Sequence, residues 1–313
     1  MDQFIQLIIN GIQIGSVYAL IALGYTMVYG VLRLINFAHG DVFMIGAYIG
    51  FFTADALKLR QQPSLPAALL ALTVPLLASM VGCALLGLII ERLAYRPLRK
   101  APKLTALITA IGVSLFLVNG AQLLFKADPK FFPNVTPQGE AGTLRFGEIT
   151  ISRDLLVLVI VAALLMGILW YIVQRTKIGK AMRAVAHDTD AAALMGINTD
   201  AVISFTFGLG AALAGAGGML FAALTYVKIL PLLGLQMGLK AFVAAVVGGI
   251  GSIPGAMLGG LLMGLSESFV KGSPRIGLFE PSRWTDAVAF VLLIVVLLVR
   301  PAGLLGRSGL EKV

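Results

Sequence analysis

Residues 155–174 read LLVLVIVAALLMGILWYIVQ, which is 20 consecutive positions without Asp, Glu, Lys or Arg. A helix needs about 20 predominantly apolar residues to cross the hydrocarbon core of a bilayer, and this segment has that length. Further uncharged runs of at least 20 residues occupy 3–32, 61–90, 104–125 and 201–227. The sequence therefore predicts a helical protein that crosses a membrane several times.

The whole chain shares this apolar character. Hydrophobic residues make up 58% of its 313 positions and charged residues 12%, whereas soluble domains carry about 25% charged residues. The mean hydropathy of +0.95 leaves no room for a sizeable water-soluble domain. We therefore expect residues 1–313 to form a single transmembrane domain.

Shorter or charge-interrupted apolar stretches make the number of crossings less direct to count. One of them must accommodate Glu267 within its span. These stretches are 42–54, 239–251, 254–270 and 284–299. Together with the longer runs they predict an all-α polytopic bundle of eight or nine spans, with broken or re-entrant helices.

Basic residues on either side of the spans predict the orientation. Segments 92–103 and 175–183 contain five and four Lys or Arg residues and no acidic residue. Because short cytoplasmic loops are enriched in Lys and Arg, both segments are predicted to be cytoplasmic. The intervening segment 126–153 mixes acidic and basic residues and lies between two spans, so it is predicted to be an external loop. Parity then places the N-terminus outside.

Several classes of chemistry are excluded by the residues available. The single cysteine, Cys83, cannot form an intrachain disulfide, and His39 and His187 are too far apart in sequence to indicate a metal cluster. No catalytic, cofactor-binding or metal site is predicted. The net charge of +9 comes from residues that flank spans, where lipid headgroups and orientation account for them, so nucleic-acid binding is not expected. A Gly-x-x-x-x-Gly-Lys-Ser/Thr phosphate loop is also absent from the sequence.

The cytoplasmic loop after the quoted span has a sequence of its own, GKAMRAVAHDTDAAALMGINTDA at 179–201. Asp188 or Thr189 can cap a short helix over the alanines that follow, and Gly196 stands where a left-handed residue would end it. Leu194 and Met195 give this helix an apolar edge. Such a surface suits docking into a groove of another protein, while the alternative is an ordinary capped surface helix.

Two segments interrupt apolar runs with Gly, Pro or charge: VLRLINFAHGD at 31–41 and GLKAFVAAVVGGIGSIPGAMLGG at 238–260. Lipid cannot satisfy the backbone groups that a broken helix frees, so such backbone lies within protein or beside a water-filled cavity. Paired broken segments indicate a translocation path.

Polar residues in the first broken segment are candidates for lining that path. Asn36, His39 and Asp41 cluster beside Arg33, and charges at bilayer depth usually face a cavity or a partner. In the alternative interpretation, Asp41 and Arg33 lie at the cytoplasmic interface and cap helix ends.

Lys240 and Glu267 are the corresponding candidates in the C-terminal half. They can pair across two adjacent spans beside the path. Alternatively, each side chain can extend to the outer membrane interface.

The loop at 179–200 resembles a known coupling element. The spacing Asp190-Ala191-Ala192-x-x-x-Gly196 is similar to the Glu-Ala-Ala-x-x-x-Gly loop of ABC importer permeases, with Asp in place of Glu. In that family the loop seats on the ATPase subunit and transmits its closure. The resemblance therefore implies that residues 179–200 form a cytoplasmic coupling loop.

Further motifs, in register, resemble the LivH-type permeases of branched-chain amino acid ABC importers. They lie at 24–48, 91–99, 104–117 and 238–264 and, with the coupling loop, extend over nearly the whole chain. The resemblance implies a multi-pass subunit of the bacterial inner membrane that is not itself an enzyme. It also implies a second homologous permease, two cytoplasmic ATPase subunits and a periplasmic substrate-binding protein as partners.

The same resemblance implies a small amino-acid substrate with a branched aliphatic side chain. Related permeases carry urea, short amides or other amino acids, and nothing in the spans separates these substrates. An ion-coupled secondary transporter would need an intramembrane carboxylate, for which Glu267 or Asp41 is available. An intramembrane enzyme at His39 and Asp41 would lack a nucleophile and oxyanion donors.

Overall fold

The computed structural model of the chain describes residues 2–62, 64–99, 101–137, 142–147, 149–225, 228–274 and 280–306. Within these ranges the chain is mostly helical. The helices are α1 Asp2–Leu32, α2 His39–Ala56, α3 Leu65–Ile90, α4 Lys103–Phe125, α5 Arg153–Arg175, α6 Lys177–His187, α7 Thr189–Leu194, α8 Thr199–Leu224, α9 Leu233–Gly248, α10 Ile253–Gly272 and α11 Thr285–Val299. The predicted all-α class is confirmed.

Seven helical segments among the described residues are long and apolar enough to cross a membrane: α1, α3 extended to Leu98, α4 from Leu104, α5, α8, α10, and Pro281–Val299, in which a short 3-10 turn precedes α11. Helix α9 has 16 residues and is shorter than a full span. Helix α2 has 18 residues and contains both Asp41 and Asp55. The exact count of eight or nine crossings therefore remains a prediction.

The second broken segment differs from its predicted boundaries. The span expected at 239–251 is instead α9, which begins earlier, at Leu233, and ends at Gly248. Gly249 and Gly251 have φ angles of 105° and 94°, a backbone region that glycine reaches readily. These two residues form the turn that separates α9 from α10.

Small residues let the central helices approach closely. Helices α1 and α10 run antiparallel, and a Cβ added to Gly260 would overlap the backbone of Ala19. A Cβ at Gly264 would overlap the backbone of Gly15 in the same way. Without a large hydrophobic effect between helices in lipid, such contacts supply the packing energy. Helix α8 is buried along most of its length and forms the centre of the bundle.

Within the part of the chain that the structure describes, four short strands lie at one end of the bundle. Strand β1, Lys130–Phe131, pairs antiparallel with β4, Lys228–Ile229, while β2, Thr143–Phe146, pairs with β3, Ile149–Ser152. The Thr150 amide donates to the Gln6 side chain at 3.0 Å, which places the β2–β3 hairpin beside the start of α1.

Helix α5 separates this hairpin from the α6–α7 segment. It follows β3 directly, and its 23 residues correspond to a length of about 35 Å. The predicted external loop and the predicted coupling loop therefore lie at opposite ends of one membrane-length helix.

Candidate coupling and translocation sites

Local capping forms the α6–α7 segment. The Asp188 carboxylate accepts hydrogen bonds from the amides of Asp190 and Ala191, each at 2.9 Å, and so caps α7. Gly196 has a φ of 83° and lies just beyond the end of the helix. The predicted short helix, its cap and its left-handed glycine are thus confirmed as structure.

One face of α7 packs on the protein and the other is free in this subunit. Ala192 is buried in the hydrophobic core, whereas Asp190 and Ala191 are exposed. Leu194 and Met195 are 89% and 83% exposed. Ala192 therefore anchors α7 to its own chain, and the apolar edge for docking consists of Leu194 and Met195. Large apolar side chains exposed together at a polar end of a protein mark an interaction surface.

Helix α6 attaches this surface firmly to the span before it. The Arg183 guanidinium donates to the backbone carbonyl of Val173 in the last turns of α5. Gly179 packs so closely on α5 that an added Cβ would overlap the carbonyls of Ile172 and Val173. A force applied to α7 would therefore pass directly to the end of α5.

A second group of charges lies where α3 ends and α8 begins. Arg96 and Arg99 both form ion pairs with Asp200, and Arg99 also pairs with the buried Glu91. The Ser204 hydroxyl donates to Glu91 at 2.7 Å. No local sequence pattern relates Glu91 to Ser204, which lies more than 100 positions away. These contacts join the predicted cytoplasmic segment 92–103 to the start of α8, where the predicted coupling loop ends.

The break between α1 and α2 is held by Asn36. Its side-chain oxygen accepts hydrogen bonds from the Ala38 amide at 3.1 Å and from the Tyr95 hydroxyl at 2.9 Å. Arg33, at a φ of 53°, turns the chain immediately before this point. Asn36 is buried, and its side-chain oxygen holds the backbone of this turn.

His39 and Asp41 begin α2 in the interior of the bundle. The His39 ring packs against Gly24 and lies edge-on to Tyr25, with 4.8 Å between ring centroids, and its Nε2 atom has no hydrogen-bond partner. Asp41 is 1% exposed and its Oδ1 atom is also unpartnered. Arg33 is exposed. The burial of Asp41 favours the path interpretation for that residue, whereas the exposure of Arg33 at the end of α1 agrees with the interfacial alternative.

A cavity of about 160 Å³ lies beside these residues, between α1, α4 and α9. Tyr25 and Ser114 contribute its polar atoms. Its remaining lining residues are Phe37, Ile111, Leu115, Gly234, Leu235, Gly238 and Leu239. Sequence reasoning did not identify Tyr25 or Ser114, because single hydroxyls inside apolar runs are common in membrane helices.

Lys240 and Glu267 form a direct ion pair, with 3.1 Å between Nζ and Oε1. Glu267 also accepts from Lys271 at 2.8 Å and from the Tyr18 hydroxyl at 2.6 Å, while Lys240 reaches Asp286 at 2.7 Å. These contacts agree with the interpretation in which Lys240 and Glu267 pair across adjacent helices. Because α1, α9, α10 and α11 each contribute a group, the cluster ties four helices together.

Replacing Glu267 with glutamine should lower the free energy of unfolding by about 3 kcal/mol, since it leaves Lys240 without its buried partner. The thermal unfolding midpoint of the purified subunit measures this loss. The double variant Glu267→Gln with Lys240→Met should recover part of the stability, because it removes both charges. Equal stability of Glu267→Gln and the unchanged chain would contradict the conclusion that this cluster holds the four helices together.

The described residues contain no group of three or more His, Cys, Asp or Glu side chains placed to hold a metal ion. Cys83 is buried and free.

Comparison with known proteins gives extensive matches. A family profile described as the permease component of the branched-chain amino acid transport system matches residues 7–297. The high-affinity branched-chain amino acid transport system permease protein BraD of Pseudomonas aeruginosa is 45% identical over 315 residues, covering 99% of this chain and 98% of that protein. The LivH permease proteins of Salmonella typhimurium and Escherichia coli K12, named as parts of the same kind of system, are each 42% identical over 311 residues, with the same coverage.

Proposed function

The chain belongs to the branched-chain amino acid transport system permease family, and on that premise we propose how its residues serve import. It is a multi-pass membrane permease component and not an enzyme. In the proposed complex it pairs with a second homologous permease in a bacterial inner membrane. Two cytoplasmic ATPases drive the pair, and a periplasmic binding protein delivers leucine, isoleucine or valine.

The observation that carries the proposal is the exposed apolar edge of α7. Leu194 and Met195 stand out from a capped helix that is fixed to α5 through α6. A neighbouring ATPase can hold this edge in a groove, as amphipathic helices are held elsewhere. Closure of the ATPases would then move α5 and, through the Arg96–Arg99–Asp200 contacts, α3 and α8.

Residues 179–200 are therefore proposed as the coupling loop, with Asp190, Ala191, Ala192 and Gly196 setting its shape. Ala192 and Gly196 determine the position of the loop without contacting the ATPase. Ala192 packs on the core, and Gly196 ends the helix. The segment 126–153 is proposed to face the periplasm, since its strands lie at the opposite end of α5.

For the translocation path we propose the region around Asn36, His39 and Asp41. Asn36 shapes the break, while His39 and Asp41 bring polar atoms without partners to the interior. Lys240 and Glu267, the other predicted path residues, pair with each other and each have one further charged partner. Their contacts support a role in holding the helices that surround the path.

The test is uptake by the reconstituted complex. Proteoliposomes containing this chain, its partner permease and both ATPases should accumulate radiolabelled leucine only when ATP and the binding protein are supplied. Uptake of urea or short amides instead would replace the substrate assignment while keeping the mechanism. Gradient-driven uptake by this chain alone would show that it is an ion-coupled transporter and overturn the proposal.

A further inference from the structure

Asp41 is a buried carboxylate, and the described residues provide a hydrogen-bond partner for only part of it. One contact joins its side chain to the hydroxyl of Ser114, and its Oδ1 atom has no hydrogen-bond partner. Asp41 takes part in none of the ion pairs found among the described residues. A buried carboxylate without a cation is costly, and at membrane depth such a group usually serves a substrate or ion path.

The free oxygen lies directly behind the wall of the cavity. Gly234 lines that cavity, and a Cβ added to it would come within 2.8 Å of Asp41 Oδ1. Ser114, which contacts the same carboxylate, also lines the cavity. The carboxylate therefore borders the lining at Gly234 and Ser114 without itself lining the cavity, and a cationic group would have to approach it between these two residues.

Two helices begin beside this carboxylate. The start of α2 at Gly40 contacts the start of α9, where Gly234 and Gly238 leave space for its backbone. The N-cap residues Ala38 and Leu232 supply no side-chain cap to α2 or α9, and the Ala38 amide donates to the Asn36 side chain. Helix N-termini carry partial positive charge and are used within membranes to hold anionic substrate groups. A carboxylate and helix N-termini placed together offer opposite charges to a zwitterion.

The rest of the cavity is apolar, and its volume suits a branched aliphatic side chain. Phe37, Ile111, Leu115, Leu235 and Leu239 form its walls. Its volume is about 160 Å³, and an apolar cavity of about 150 Å³ accommodates benzene. A branched aliphatic side chain is no larger than benzene. The opening lies between α4 and α9, where Leu115 and Leu235 are exposed on this subunit.

We propose that this cavity is a transient binding site for the transported amino acid within the membrane. Asp41 receives the ammonium group, the starts of α2 and α9 face the carboxylate, and the apolar walls contact the aliphatic side chain. This inference rests on the proposed function, since it assigns the site at which this subunit holds that substrate.

The experiment uses the whole reconstituted complex with photoleucine, an aliphatic amino acid carrying a diazirine, delivered by the binding protein. Illumination during ATP turnover should label peptides from α4 and α9 that contain Ile111, Leu115, Leu235 or Leu239. The variant Asp41→Asn should lose this labelling and lower leucine uptake by about thirtyfold, the effect of losing a hydrogen bond to a charged group. Co-purification of the partner permease and both ATPases with this variant checks that the complex still assembles.

Leu115→Trp and Phe116→Trp form a matched pair that does not depend on Asp41. Leu115 lines the cavity, while the adjacent Phe116 is 76% exposed and lies outside it. Tryptophan at 115 should fill the cavity and reduce uptake at least tenfold relative to tryptophan at 116.

The outcomes separate the two proposals. If the unchanged complex does not import leucine, the proposed function fails. If it imports leucine but photoleucine labels other segments, or if Asp41→Asn and Leu115→Trp both transport at the unchanged rate, the cavity is not the site. If Asp41→Asn does not assemble, the labelling of the unchanged complex and the tryptophan pair decide.

Discussion

Replacing Leu194 and Met195 with aspartate is expected to reduce ATP-driven uptake by on the order of a thousandfold. Each side chain is exposed in this subunit and would be enclosed by the ATPase. Anchor residues at the centre of an interface contribute about 2 kcal/mol or more each, which corresponds to roughly thirtyfold in affinity per residue. The measurements are ATPase co-purification and leucine uptake in proteoliposomes.

The matched control keeps the apolar edge and changes only its detail. Leu194→Met with Met195→Leu preserves apolar surface of the same kind and should retain uptake close to that of the unchanged chain. Both pairs should unfold at the same temperature as the unchanged subunit, because neither side chain packs within it. Retained association of the aspartate variant with the ATPases would show that α7 is not the docking surface.

Replacing Gly260 with valine is expected to prevent stable packing of α1 on α10. A Cβ at this position overlaps the backbone of Ala19, which cannot move aside as a flexible side chain would. Overpacking usually costs about 1–3 kcal/mol, and a backbone obstruction along a helix seam should reach or exceed the upper value. The thermal unfolding midpoint and the yield of folded subunit measure the effect.

Gly167→Val is the control for this substitution. Gly167 lies within α5, and an added Cβ there meets no heavy atom within 4 Å. The same change of residue should therefore leave the midpoint nearly unchanged. Equal destabilisation by both variants would mean that helix propensity, and not close approach of α1 and α10, determines the result.

The sequence predicts the local features of this protein well, because each depends on neighbouring residues. The uncharged runs identify the long spans, and Asp188 and Gly196 identify the two ends of α7. The apolar edge at Leu194 and Met195 was also visible in the sequence. The sequence does not predict that the Ala192 side chain faces the core, because its burial depends on how α7 packs on the rest of the protein.

Features that join distant segments were harder to predict. Pairing or separate exposure of Lys240 and Glu267 depends on the turn at Gly249 and Gly251, which brings α9 back against α10. The contacts of Arg96 and Arg99 with Asp200 link segments about 100 residues apart. The cavity at Asp41 similarly requires α4 and α9 to meet beside α2. Periodicity and spacing within one segment carry no information about tertiary contacts between distant segments.

The most direct test of the account is a crosslink from α7. Cys83 is buried and free, so Leu194→Cys introduces a single accessible thiol into the natural chain. In native membranes, a photoactivatable maleimide attached at position 194 should crosslink to an ATPase subunit, and a membrane-impermeant maleimide should reach it only from the cytoplasmic side. Labelling of position 194 from the periplasm, or the absence of any ATPase crosslink in a transport-competent complex, would contradict the account.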